Sequence, residues 1–404
     1  MHLSCVRKIL PLVVLACALA GMAPNAAVAA TKSSPGLTVP AASIGLVDGQ
    51  GLWARKAGTR RHVASTIKML NALVVRERAE LDDVVVVTAK AARTESGVGL
   101  VSGQKITVRK LLQLMLVVSS NDAAEALAIG IAGSEKKYVA LMNAKAKKMG
   151  LTGTHAVDPH GLSKKETSTP RDLSVLATAL LADPVLRRTV RLESVVLERP
   201  HMKPKRLEAT NKLLGHYQGI EGVKTGFTYA AGYCLVGAAK RGNLELVGVV
   251  LGARSSSSRF SQMHKLLDWG FARYRMRRLV SVDTTMGVVR VSSGSASSVT
   301  VHAAREESRA VIATGIAIVT EVILPATLPA PISKGDQLGV VRVTQGGMPL
   351  ASVGLLADSS VATVATVPTP TPVVYASNAG HASSLWERLG DLPRRVLVAL
   401  ASGI

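Results

Sequence analysis

Gly219-Ile220-Glu221-Gly222-Val223-Lys224-Thr225-Gly226-Phe227-Thr228, running on through Ala231-Gly232-Tyr233-Cys234-Leu235-Val236, is the stretch on which the fold turns. Two strand-like runs emerge from it, Tyr233 to Ala239 and Leu244 to Gly252, and the turn Lys240-Arg241-Gly242-Asn243 joins them. Upstream, Leu111 to Ile131 and Arg171 to Leu181 carry helical spacing instead. From Leu37 to Arg275 the chain therefore alternates helix and strand signals, an α/β (α+β) region. Lys224-Thr225-Gly226 is expected just before a strand. Taken alone it describes an edge strand with a glycine bulge and a solvated lysine.

Past this region the pattern changes to short β-branched runs cut by Gly, Pro and Asp: Val288 to Val291, Ser298 to Val301, Ala310 to Ile312, Val319 to Ile323, Gln337 to Val343 and Met348 to Leu355. They predict a small all-β domain over 276–365, behind an α/β domain over 31–275. A linker rich in Pro, Thr and Ser follows at 366–384, with Pro368, Pro370 and Pro372. In 385–404, Leu385, Leu389, Leu392 and Val396 recur at helical spacing, with Glu387, Arg388, Asp391, Arg394 and Arg395 on the other side. Such a segment suits a membrane interface; Pro393 and docking on the protein itself stand against that reading. At the other end, Arg7 and Lys8 precede an apolar run from Ile9 to Met22 and small residues at Val28-Ala29-Ala30, an export signal over 1–30. That run is short of the ~20 apolar residues a bilayer span takes. Cys17 in Val14-Leu15-Ala16-Cys17 only loosely fits a lipid-attachment box, because Leu15 is bulky. With Cys5 and Cys17 removed, Cys234 alone remains, which leaves no intramolecular disulfide and no multi-cysteine zinc site.

Composition narrows the partners. Lys and Arg number 49 against 27 Asp and Glu, a net charge of +22, in a chain of 404 residues that is 48% hydrophobic and 3% aromatic. So few rings argue against nucleic acid, whose single-strand binders stack bases on aromatic side chains. The excess charge fits a folded protein beside another polyanion, anionic membrane lipid or wall polymer.

Three clusters in the α/β region carry chemistry. Ser65-Thr66-Ile67-Lys68 opens a helical segment, where residues three apart share a face and Lys68 can serve as base to the Ser65 hydroxyl. Ser119-Ser120-Asn121 closes an apolar stretch, where polar residues also serve as plain caps. Lys224-Thr225-Gly226 is the third. Each pattern is weak alone; in this order they form the SxxK, SxN and KTG signature of penicillin-binding proteins and class A β-lactamases.

With Asp122-Ala123-Ala124-Glu125-Ala126-Leu127-Ala128, Pro159-His160-Gly161-Leu162 and Ser168-Thr169-Pro170-Arg171-Asp172-Leu173, the chain resembles the D-alanyl-D-alanine carboxypeptidases, low-molecular-mass penicillin-binding proteins, along nearly its whole length. The resemblance implies a β-lactamase/transpeptidase-like fold and an amphipathic tail on the outer face of the cytoplasmic membrane. It implies that Ser65 attacks the D-Ala-D-Ala bond of a peptidoglycan stem peptide, or a β-lactam antibiotic, with Lys68 as base. Ser119 and Asn121 relay protons and hold the substrate amide, and Lys224 supports them electrostatically. The backbone N–H groups of Ser65 and Phe227 form the oxyanion hole, beside Gly226. Arg259, expected on a strand-to-helix turn, binds the terminal carboxylate with Thr225, and Arg254 is the alternative. No metal or organic cofactor is implied. Two departures stand out: Ile67 replaces a common threonine, and Ser120 a smaller residue. A β-lactamase needs a deacylating glutamate, and Glu166 lacks the leucine-asparagine context of one. A silent wall-binding protein would not need all three clusters intact.

Overall fold

The computed structural model describes residues 12–15, 33–199 and 202–364. Most of the export segment, Cys5 and Cys17, the 366–384 linker and the amphipathic 385–404 segment lie outside the described residues.

A five-stranded antiparallel sheet forms the centre of the first region, in the order Gly51–Arg55, Ala41–Leu46, Leu244–Ala253, Gly232–Arg241, Ile220–Thr228. Period-2 alternation divides its side chains between two cores. Leu235, Ala239, Leu246 and Val250 pack under the helix Ser256–Arg273, while Val236, Ala238, Val247, Val249 and Leu251 join a largely helical layer on the opposite face. Burying each of the larger side chains contributes ~1.5–3 kcal/mol. The Ser256–Arg273 helix lies close because Gly237 and Gly248 pair in register beneath it; a Cβ on either would meet the Met263 sulfur at 3.0 or 2.8 Å.

The hairpin turn is tighter than its four-residue reading. Arg241 pairs with Leu244, so the loop is Gly242-Asn243, with Gly242 at φ +57°. The stretch Leu111 to Ile131 is two helices, Val108–Val117 and Asn121–Ala132. Ser119 at φ +65° breaks them apart, and the Ser120 hydroxyl then caps the second by accepting from Ala123 N–H at 3.2 Å. Lys224-Thr225-Gly226 lies within the edge strand Ile220–Thr228 rather than before a strand.

The C-terminal region is a seven-stranded sheet. It contains Thr285–Ser292, Ser298–Ala303, Ile318–Pro325, Gln337–Gln345 and Met348–Ala357, the short strand Thr327–Pro329, and Leu12–Leu15 paired on Ile318–Pro325. Val289, Val301, Val341, Val353 and Leu355 form its core. Tyr274–Val280, absent from the sequence reading, pairs with Glu307–Ile312 as a separate ribbon. Ala310 reaches from that ribbon into the core beneath Ser256–Arg273.

Candidate active site

Ser65 sits in the 3-10 turn Ala64–Ile67, which runs directly into the helix Lys68–Arg78, so Ser65 and Lys68 face the same way. Lys68 Nζ donates to Ser65 Oγ at 2.9 Å, to the Ser119 carbonyl at 2.8 Å, to Ser119 Oγ at 3.4 Å, and to Asn121 Oδ1. The break at Ser119 makes this convergence possible: it frees the Ser119 carbonyl from any helical ladder and starts the next helix at Asn121. Asn121 is itself anchored, its Nδ2 donating to the Glu95 carbonyl at 2.7 Å.

Lys68 has 0% exposure. Burial lowers its pKa to about 7, while the carboxylates of Asp158, Glu166 and Asp122 pull it part of the way back. A lysine so placed spends much of its time as a neutral amine at neutral pH, the form that accepts a proton.

The Ile220–Thr228 strand is the outermost of its sheet and runs past the serine. Gly226 permits the approach, because a Cβ there would lie 2.9 Å from the Val63 carbonyl oxygen and 3.1 Å from Ser65 N. Lys224 is buried, with Nζ donating to the Thr225 carbonyl at 2.9 Å. Burial, then the charges of Lys68 and Arg259, hold its pKa well below the usual ammonium range. Thr225 Oγ1 donates to Thr210 Oγ1 at 2.7 Å, and Thr210 N–H donates to the Val117 carbonyl at 3.0 Å, tying the strand to the helix end before Ser119. Phe227, next after Gly226, is 41% exposed.

Arg259 lies in the first turn of the helix Ser256–Arg273, one turn beyond the loop where the sequence reading put it; Ser255 caps that helix. Its guanidinium donates to the Gly226 carbonyl at 3.2 Å and to Ser256 Oγ at 3.4 Å, and lies 5.5 Å from the Tyr233 ring. Arg254, before the helix, is exposed.

Three contributors escaped the sequence reading. Ser65 Oγ donates to the His160 carbonyl at 3.2 Å, and Gly161, at φ +90°, lies so close that a Cβ would be 2.3 Å from the Ala64 carbonyl oxygen. Asp158 holds this loop: its carboxylate accepts from the N–H groups of His160 at 2.9 Å, Gly161, and Ser163 at 2.7 Å. Asp122 does the same for another loop, accepting from Val98, Gly99 and Leu100 N–H at 2.9 to 3.0 Å. The signal for the first was Asp158-Pro159-His160-Gly161 itself, an Asp ahead of a glycine at turn spacing. Glu166 is buried, and burial, then the Asp158 charge, push its pKa well above the usual carboxylate range.

A buried amine within reach of a serine hydroxyl, beside an open strand edge, is the arrangement of an acyl-transferring serine hydrolase. The sequence profile of the D-alanyl-D-alanine carboxypeptidase family matches residues 29–255, and that of the penicillin-binding protein 5 C-terminal domain matches residues 274–363. The D-alanyl-D-alanine carboxypeptidase DacF of Bacillus subtilis is 31% identical over 322 residues, covering 75% of this chain and 80% of its own. DacB2 of Mycobacterium tuberculosis is 38% identical over 235 residues, 56% of this chain and 80% of its own. The crystal structure of penicillin binding protein 5 from Haemophilus influenzae superposes with a TM-score of 0.70 at 26% identity, over 82% of this chain and 99% of that one. The chain belongs to the D-alanyl-D-alanine carboxypeptidase family: it is a serine-type hydrolase of the low-molecular-mass penicillin-binding proteins.

Proposed function

We propose that this carboxypeptidase is exported and removes the terminal D-alanine of peptidoglycan stem pentapeptides through an acyl-enzyme on Ser65, the same serine that β-lactams acylate. The observation that carries the reading is the 2.9 Å contact from Lys68 Nζ to Ser65 Oγ, in a fully buried lysine whose pKa is lowered to about 7. Neutral Lys68 takes the hydroxyl proton as Oγ bonds to the scissile carbonyl carbon. The N–H groups of Ser65 and Phe227 stabilise the resulting oxyanion, a term that often dominates acyl transfer. As the C–N bond breaks, the proton passes from Lys68 by way of Ser119 Oγ, 3.4 Å away, to the departing D-alanine nitrogen. Water then attacks the ester, returning Ser65 and leaving the shortened peptide. Lys224 supports the Lys68 network electrostatically, and Asn121 holds both Lys68 and the substrate amide.

Arg259 binds the terminal carboxylate with the Thr225 hydroxyl; its hold on the Gly226 carbonyl sets it beside the strand, which favours it over exposed Arg254. The amphipathic 385–404 segment rests the enzyme on the anionic outer face of the cytoplasmic membrane, and the charge of +22 adds attraction to lipid or wall polymer. Among the described residues no helix is long and apolar enough to cross a membrane. The test is D-alanine release from a stem pentapeptide by the purified chain, with covalent labelling by a fluorescent penicillin. Ser65→Ala should lose both, and persistent labelling would overturn the assignment of the nucleophile.

A further inference from the structure

Two short ribbons pack side by side on the helical core of the catalytic region, Val84–Val86 with Lys105–Thr107 and Ser194–Arg199 with Met202–Glu208. Gln104 and Lys110 join them: Gln104 Nε2 donates to the Glu198 carbonyl at 3.1 Å, and Lys110 Nζ to the Val196 carbonyl at 3.0 Å. Each ribbon buries alternate residues against the core, Val85 and Ile106 from one, Val195 and Leu197 from the other. The outward face is the unusual one. Val84, Val86, Val196 and Met202, with Val101 in the turn before Lys105, are between 41% and 62% exposed. A single outward valine is ordinary in a strand, whereas five exposed apolar side chains on two joined ribbons make a patch.

The charges around this patch favour one kind of occupant. Lys105, Lys203 and Lys205 are exposed, and none has a side-chain partner among the described residues. The acids beside them are partly spent: Asp82 pairs with Arg109 and Glu208 with Arg206, each at 3.0 Å, while Asp83 and Glu198 remain. Apolar side chains flanked by long cationic ones suit an anionic bilayer, where the former enter the acyl boundary and the ammonium groups stay among the headgroups. A hydrated wall polymer offers partners to the lysines and none to the valines. The patch also has a definite place. Val101 directly follows Val98, Gly99 and Leu100, whose amides donate to Asp122 in the helix that begins at Asn121, so it borders the catalytic cleft.

We infer that the outer face of these two ribbons is a second membrane-contact surface, seated on anionic lipid beside the catalytic cleft and separate from the 385–404 segment. The inference rests on the reading above that the exported chain works at the outer face of the cytoplasmic membrane. The tail fixes where the chain is; the ribbons fix which way its cleft faces.

The test uses the exported chain with its tail, in which Cys234 is buried, carrying Val101→Cys labelled with nitrobenzoxadiazole. On mixed vesicles of phosphatidylglycerol and phosphatidylcholine the label should shift to shorter wavelength as it leaves water. Lys203→Gln combined with Lys205→Gln should weaken vesicle binding about 25-fold at low salt, at about fivefold for each lysine beside an anionic surface. A label that stays in water while the chain sediments with the vesicles overturns the surface and leaves the tail as sole anchor. An unchanged affinity of the double variant overturns it as well. A label that shifts without vesicles, as the protein is concentrated, gives the surface to a second copy and overturns the lipid assignment. A chain that binds no vesicles overturns the membrane reading itself, and the surface with it.

Discussion

The two regions of the molecule treat buried polarity in opposite ways. In the C-terminal region, among the described residues, only Glu307 and Gln345 are buried and polar. Both are fully occupied: Glu307 pairs with Arg305 and Arg309 at 3.1 and 2.8 Å, and Gln345 exchanges hydrogen bonds with Ile312 at 2.9 Å. The catalytic region instead buries Lys68, Asn121, Asp122, Asp158, Glu166 and Lys224 within one site. It also holds Ala64, Ser96 and Ser119 at φ between +49° and +65° around that site, conformations that cost of order 1–3 kcal/mol each. The catalytic region gives some stability up to hold these groups in place.

The sharpest way to break that contrast is Lys68→Arg. A guanidinium keeps the positive charge but stays protonated, so the rate of acylation by a penicillin should fall by about 10²–10⁴-fold, the usual contribution of a general base. A near-normal rate would mean that Lys68 acts through charge alone.

Next in size is Gly161→Ala. Its Cβ would lie 2.3 Å from the Ala64 carbonyl oxygen and 2.8 Å from Ser65 N, so the turn carrying Ser65 must shift. A displacement near 1 Å costs about 10²-fold in rate. Stopped-flow acylation, with circular dichroism to confirm the fold, measures it; an unimpaired rate would show that the turn is not held by this contact.

Acidification produces a smaller effect with a definite sign. As the proposed base, Lys68 works only when neutral, so acylation should level off above its pKa of about 7. Below that value it should fall by about tenfold per pH unit, as the fraction of neutral amine does. A pH–rate profile that is flat from about pH 5 to 8 would place the proton acceptor elsewhere.

The smallest effect on chemistry belongs to the other region. Leu355 is fully buried in the C-terminal sheet, and Leu355→Ala should cost ~2–5 kcal/mol of that region's stability. Thermal unfolding would record the loss, while kcat/KM at low temperature should change by less than about twofold. A matching loss of activity would mean the two regions are energetically one unit.

This division also explains what the sequence disclosed. The β-branched runs of the C-terminal region coincide with strands because alternation and turn residues act locally; Ser298–Ala303 buries every second residue. The reach of Lys68 to Ser65 was legible for a similar reason, being fixed by helical spacing. The ribbon strand Tyr274–Val280 was not, since Arg275, Arg277 and Arg278 break its apolar pattern and its pairing lies beyond Ala303 in the chain. The break at Ser119 was hidden because Leu111 to Ile131 is apolar at helical spacing on both sides of it. What splits that stretch is a single left-handed residue whose carbonyl is wanted by Lys68. Asp158 stayed unread because its partners are backbone amides, which carry no residue identity, and Arg259 moved into the helix because Ser255 takes the cap ahead of it.

The outermost position of the Ile220–Thr228 strand has a consequence for how crowded molecules of this enzyme behave. An unpaired sheet edge is a template on which another copy can add a strand, the first step toward aggregation. Here the edge is guarded in pieces: Val190 closes on it at Gly222, where a Cβ would lie 2.9 Å from the valine Cγ2, and Val63 and Ser65 close on it at Gly226. Only a short run near Phe227 stays open, too short for one folded sheet to zip onto another yet long enough for the last residues of a peptide. Colloidal safety and the need for a thin, chain-end ligand are thus met by the same two close approaches.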